Sequence, residues 1–381
     1  MLPPDLPLVD HHCHSVLGGD LSAAAFARLL TESDRPPAPG TDYLDTQLGF
    51  AVRRHCAPLL DLEPHCPPEA YLERRRSLGA AEATRRLLRA AGLRTLLVDT
   101  GLVEVPGAGP LLSLPELASA ASAEVHRVVR LETVAEEVAQ GWVSARSYGD
   151  DCVRALTGAV QDAGTVAVKS VLAYRHGLDV EPDRPSEAAV AHAAGEWLAQ
   201  LDQHGGPLRL THPVLLRHLL WTAVDLGLPI QLHTGFGDPD LTLHRADPSL
   251  LTGFIRAVEP RGVPLVLLHG YPYHRQAAYL AAVYPHVYAD VGLTLSHSGA
   301  RAGAVLAEVL EVVPFGKVLF STDAYGLPEL YPVGAALFRH ALAGLLDGWT
   351  ADGSWSAADA DRVAALIGGA NARRLYALPG R

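Results

Sequence analysis

The chain has 381 residues, of which 49% are hydrophobic and 19% charged, enough for a large packed core and incompatible with disorder throughout. Lysine and arginine total 31 against 42 acidic residues, and the net charge of −11 argues against a nucleic-acid or anionic-membrane surface, since both need a basic footprint. Four scattered cysteines (Cys13, Cys56, Cys66, Cys152) form neither a disulfide framework nor a CxxC zinc site, and the start MLPPDLPLVDHH has no leader-like apolar segment, so the expectation is a reduced, soluble, cytoplasmic protein.

In chain order, apolar β-rich runs recur, each followed by a polar or glycine-containing turn and then a helical pattern. The first is Leu8 to Asp10, ending in His11-His12-Cys13-His14. The others are Leu93–Asp99, Val125–Leu131, Thr165–Val171, Leu228–His233, Val263–His269, His286–Val291 and Lys317–Asp323. Runs this continuous in apolar character suggest a sheet buried on both faces. Helices are expected over Glu69–Ala91, the longest, and over Asp150–Ala163, Ser186–His204, His212–Leu226, Ser249–Val258, Arg275–Val283, Ala300–Val313, Val333–Leu346 and Ala357–Gly368. Eight strands alternating with helices predict an α/β fold, a (β/α)8 TIM barrel, as one domain over residues 1–381. Residues 15–68, rich in Pro and Gly signals, read as a partly helical insertion after the first strand that caps the barrel mouth.

His12 and His14 are two apart, so on an extended strand they point to one side and can reach one metal ion. His233 closes the fifth run, His269 the sixth and Asp323 the eighth, while Lys169 sits on the fourth. In a parallel barrel the strand C-termini open on one face, where catalytic residues gather. Lysine is scarce here, with only Lys169 and Lys317 beside 29 arginines, which draws attention to Lys169. Cys13 should face away from its flanking histidines and reads as packed. His55, His65, His192, His204, His218 and His340 fall in insertion or helix patterns and read as surface or helix-face residues; Trp197 and Trp221 fit helical core stripes.

The motifs HHCHS, VKSVLAYRHGL, QLHTGFGD, LLHGYPYHR and LFSTDAYGLPELY, spread from Leu8 to Tyr376, resemble those of the amidohydrolase superfamily. The resemblance is strongest to its "amidohydrolase 2" group and to the nodulin-like branch, relatives of which can be fused to glutamine synthetase. It implies that His12 and His14 bind a metal ion, that His233 is a further ligand, and that Asp323 is a ligand or a proton acceptor. His269 would be a second ligand in a two-metal site or an acid/base partner in a one-metal site. Lys169 would bridge two ions as a carbamate, which arginine cannot form, or pair as an ordinary lysine with a carboxylate or substrate. Neutral imidazoles with carboxylate oxygen suit one or two Zn²⁺ ions, with Mn²⁺ or Fe²⁺ as alternatives. Such a site implies a metal-dependent hydrolase of amide-type C–N bonds in a small, carboxylate-bearing substrate. Metal-dependent decarboxylation or isomerisation of a small organic acid is the alternative, and a non-catalytic barrel the third reading.

Tyr174 and Arg175 follow the fourth run, and Tyr271, Tyr273 and Arg275 follow the sixth; these are substrate-contact candidates, since arginine clamps carboxylates. Against that, Arg175 can be a structural pair partner, Arg275 can open a solvated helix, and the tyrosines can be packing. Thr294 and His297 are placed near the mouth, and Glu329 either meets substrate or begins a helix. The partner is a small molecule, with no nucleic acid or membrane; homo-oligomerisation stays open.

Overall fold

The structure, a computed structural model, describes residues 6–141, 143–204 and 208–379. The expected helix end at His204 is described, but that residue's side chain lies outside the described set.

Eight strands form one sheet in chain order: β1 (Leu8–Cys13), β2 (Leu93–Asp99), β3 (Glu124–Arg130), β4 (Thr165–Ser170), β5 (Ile230–Thr234), β6 (Leu265–His269), β7 (Val287–Asp290) and β8 (Val318–Leu319). The strand pairs β1/β2, β3/β4, β4/β5, β5/β6 and β6/β7 are parallel. Beyond β8 the chain keeps running beside β1: His11 N–H donates to Phe320 O at 3.2 Å, Asp323 N–H to His12 O at 3.1 Å and His14 N–H to Ala324 O at 2.8 Å. The result is a (β/α)8 barrel flanked by helices. Every residue of β1, β5 and β6 is buried, as uninterrupted apolar runs require when both faces of a strand are covered.

The chain forms two compact units. One comprises Met1–His126, Gly237–Pro239 and Asp290–Arg381, and includes β1, β2 and β8. In it the segment 15–68 is partly helical, with helices Ala23–Arg28 and Gln47–His55. Thr46 caps the second of these, its Oγ1 accepting from Gly49 N–H at 3.0 Å. The long helix expected over Glu69–Ala91 is instead two, Pro68–Leu78 and Ala80–Ala90. Gly79 divides them at φ 78°, a left-handed conformation that a helix interior cannot hold.

The other unit comprises Arg127–Phe236 and Asp240–Ala289, with β4, β5 and β6 inside it. Helices Leu131–Gln140 and Tyr148–Gln161 flank β4, and Glu187–His204 and Pro213–Leu226 lead to β5. Trp197 and Trp221 are buried on the last two, in keeping with their helical stripes.

Candidate metal centre

In the first unit, β1 and the segment after β8 build a histidine–carboxylate cluster. His12 Nε2 lies 3.0 Å and His14 Nε2 3.6 Å from the same atom, Asp323 Oδ1. The two rings sit 5.3 Å apart, on one side of the strand as their spacing requires. Asp99, the last residue of β2, joins them: one donor atom each from His12, His14 and Asp99 lies within 4.8 Å of the others, and all three residues are buried. His14 Nδ1 is 3.3 Å from the Asp99 carbonyl oxygen, which favours a proton on Nδ1 and leaves the Nε2 lone pair directed at the cluster. Asp323 itself has φ 50°, a left-handed turn that aspartate tolerates and that redirects the chain after β8.

Neighbouring groups fix this arrangement. Asp10 accepts from Thr322 N–H at 2.9 Å and from Thr322 Oγ1 at 2.5 Å, tying the residue before Asp323 to β1. Burial pushes the Asp10 carboxyl up to about 8, with the Thr322 bonds opposing the rise. His11 faces the other way, with Nε2 2.8 Å from Asp290 Oδ2 and Nδ1 3.0 Å from Tyr376 Oη. Tyr331 donates its hydroxyl to the His14 carbonyl. Cys13 is fully buried, and burial raises its thiol well above the ordinary range, which fits a packed residue better than a nucleophile.

The second unit gathers a different set. His233 and His269, at the ends of β5 and β6, have ring centres 4.8 Å apart, and the Tyr174 ring is tilted against His233 with centres 4.3 Å apart. His233 Nε2 lies 3.2 Å from Phe236 O. Lys169 is buried near the end of β4, in register with Gln231 of β5. The strand end that carries it is anchored by buried Glu132, which accepts from Ser170 Oγ at 2.6 Å and from Val171 N–H at 3.0 Å. Burial raises the Glu132 carboxyl, while those bonds favour its charged form.

The substrate-contact candidates lie in different settings. Arg175, on the one-turn helix Leu172–Arg175, pairs with Glu136 at 3.0 Å, and burial lowers its pKa. Tyr271 is exposed, edge-on to Phe236 and stacked on His274. Tyr273 is half-buried and precedes helix His274–Val283, and Arg275 is exposed in its first turn. The β5 and β6 loops meet backbone to backbone. Phe236 N–H donates to Tyr271 O at 2.7 Å, and a Cβ on Gly235, whose φ is 80°, would come within 2.4 Å of that oxygen. In the first unit, Thr294 is buried in helix Gly292–Ser298 and His297 Nε2 lies 3.4 Å from Glu32 Oε1. Glu329 is fully buried, accepting from Arg75 Nε at 2.7 Å and Tyr71 Oη at 3.1 Å, and so stands as a structural anchor.

Sequence reasoning overlooked Asp99, Thr322 and Glu132. Asp99 had a signal, because LRTLLVD is an apolar run ended by a carboxylate, as LPLVD is. Thr322 and Glu132 act through partners 312 and 38 residues away and carry no local signature. Two imidazoles converging on carboxylate oxygens in a buried pocket are the borderline nitrogen and oxygen donors that a divalent transition ion takes. The donor set therefore fits such an ion.

Comparison with known proteins agrees with this chemistry. The amidohydrolase family model matches residues 9–378. Protein fluG of Emericella nidulans is 29% identical over 405 residues, covering 98% of this chain and 46% of that protein, so the chain spans about half the length of that relative. A crystallised Lactobacillus casei protein, described as a candidate metal-dependent hydrolase, is 28% identical with a TM-score of 0.84, over 98% of this chain and 95% of that one. A glucuronate isomerase from Caulobacter crescentus, at 17% identity and a TM-score of 0.64 over 99% and 92% of the two chains, shares the fold. The chain belongs to the amidohydrolase family of metal-dependent enzymes.

Proposed function

We propose that the chain hydrolyses an amide-type C–N bond of a small, carboxylate-bearing molecule, with His12, His14 and Asp323 at the metal and His233, His269 and Lys169 completing the centre. The observation that carries this reading is the aim of two imidazole Nε2 atoms at one Asp323 carboxylate oxygen. The ends of β4, β5 and β6 hold the remaining residues, and in a parallel barrel such ends share one face. Zn²⁺ is the expected ion, with Mn²⁺ or Fe²⁺ as alternatives. When bound, it supplies a Lewis acid and a source of hydroxide at neutral pH.

The chain's own groups do the rest. Asp323 takes the proton of the attacking water and returns it to the leaving nitrogen. His269 hydrogen-bonds the developing oxyanion or acts as a further ligand. Tyr174, whose ring is tilted against His233, exposed Tyr271 and half-buried Tyr273 line the approach. Arg175, paired with Glu136, and Arg275, exposed in the first turn of its helix, are the groups to recognise the substrate carboxylate. γ-Glutamyl and other N-acyl amines are the first substrates to try.

Decarboxylation or isomerisation of a small organic acid is the second reading, and Lys169 separates them. A carboxylated, bridging Lys169 belongs with two ions and hydrolysis; an ordinary buried amine belongs with one ion and leaves the other reactions level with it. The test is metal content by inductively coupled plasma mass spectrometry with an amide panel, on wild type, His12→Ala, Asp323→Asn and Lys169→Arg. Two ions per chain, falling in Lys169→Arg, with amide turnover reduced about 10²–10⁴-fold in Asp323→Asn, is the expected result. Full activity in His12→Ala overturns the metal mechanism. One ion, untouched in Lys169→Arg, removes the bridge.

A further inference from the structure

On the first unit, away from β1 and the residues after β8, helix Gln47–His55, the chain at His65, the turn Gly299–Arg301 and helix Leu330–Ala351 enclose a cleft of about 440 Å³. Its lining falls into two parts. Phe50 and Leu337 supply an apolar wall, and Phe50 is exposed there; Arg54, His55, His65 and His340 supply the polar side. No carboxylate lines it, in a chain whose acidic residues outnumber its basic ones 42 to 31.

Elsewhere in this unit several arginines are matched to carboxylates. Arg74 and Arg86 both pair with Asp61, at 2.5 and 2.7 Å, and Arg85 pairs with Glu82 at 2.7 Å. The four basic groups of the cleft have no hydrogen-bond or ion-pair partner among the described residues. Four uncompensated basic side chains against an aromatic and aliphatic wall form an amphipathic receptor of one sign.

We infer that this cleft is a second binding site, distinct from the metal centre, for a small organic anion with an apolar body, its carboxylate held by Arg54, His55 and His340 and its body lying on Phe50 and Leu337. Arginine gives a carboxylate two parallel donors, and protonated imidazoles add charge-assisted bonds. The pH dependence follows from the surroundings. Burial, and then Arg54, His340 and His65, push the His55 imidazole down to about 4, so near pH 6 it is neutral without a ligand. The groups facing it are Arg54 on its own helix, His65 and His340; the turn Gly299–Arg301 contributes only Gly299 and Ala300 to the lining. A carboxylate placed beside the His55 imidazole stabilises its charged form against burial and the Arg54 charge, and raises its pKa. Binding therefore takes up protons and tightens as pH falls from 8 to 6.

The test is titration calorimetry of the metal-loaded protein with phenylacetate, and with neutral phenylacetamide, at pH 6 and pH 8. Two buffers of different ionisation heat report the proton uptake. Arg54→Ala/His340→Ala is the matched variant: both side chains are exposed, and substitution at such positions leaves stability nearly unchanged. Expected are 1:1 binding of phenylacetate but not of phenylacetamide, net proton uptake at pH 6, and affinity roughly tenfold weaker in the double variant with amide turnover unchanged. Equal affinity in the double variant places the carboxylate at another site and overturns the inference. So does binding without proton uptake, the absence of any binding, or a dimer in sedimentation that the double variant dissociates, which makes the cleft an interface between copies.

Discussion

Thr322 touches Asp10 twice, through its N–H at 2.9 Å and its hydroxyl at 2.5 Å, and its neighbour Asp323 faces both His12 and His14. Asp10 is two residues before His12 on the same strand, so this pair of bonds sets the distance between the histidines and the carboxylate. Thr322→Val keeps the shape and the backbone bond but removes the hydroxyl partner of a fully buried carboxyl group. An unsatisfied group of that kind costs about 1–3 kcal/mol, and loss of an orienting partner lowers metal affinity by about 10–100-fold. Both are measurable, by thermal melting and by competition with a chromophoric chelator. Unchanged metal affinity would mean that β1 alone positions the ligands. At this level the sequence was readable where chemistry is local: HxH on a strand announces two donors on one side, and the structure has them there. It was silent where a residue acts through a distant partner, as Thr322 and Glu132 do.

The helix Pro68–Leu78 reaches the segment after β8 through one buried ion pair. Arg75, 6% exposed in its side chain, meets fully buried Glu329 at 2.7 Å, and Tyr71 of the same helix adds a second bond. Burial opposes the charge on Arg75, but Glu329 overrides it and holds the Arg75 pKa above its ordinary value, so the guanidinium stays charged across the working range. Arg75→Ala leaves Glu329 buried without its cation, a loss of about 3–5 kcal/mol, whereas replacing both by Met restores most of the stability because the desolvation cost disappears with the pair. Denaturant unfolding of the two variants checks this; equal destabilisation in both would show that the helix is held by packing alone. Element boundaries were legible in proportion to how local their cause is. The strands announced themselves because burial on both faces demands continuous apolar runs. Gly79, which splits the expected long helix, sits in a pattern that is otherwise helical on both sides. Strand eight is shorter than its apolar run, since LFSTD continues beside β1 through a few bonds and then turns at Asp323.

Taken over the whole chain, the candidate ligands come from positions as far apart as His12 and Asp323, and the unfolded chain has no preformed site. Ion binding is therefore linked to folding: an ion held by the native state alone stabilises it by about 2.7 kcal/mol when present at 100 times its dissociation constant. Unfolding entropy scales with length, and for a chain of 381 residues that free energy corresponds to a melting shift of about 3 °C. Removing the metal with a chelator should lower the melting temperature by that order, and adding back Zn²⁺ after the chelator is dialysed away should restore it, with His12→Ala responding to neither treatment. The control matters because chelators also strip adventitious surface ions, and only the His12 variant separates the two. An unchanged melting temperature in protein shown by mass spectrometry to have lost its ions would mean that the cluster's own hydrogen bonds satisfy the histidines equally well. The metal would then bear on chemistry alone and not on folding.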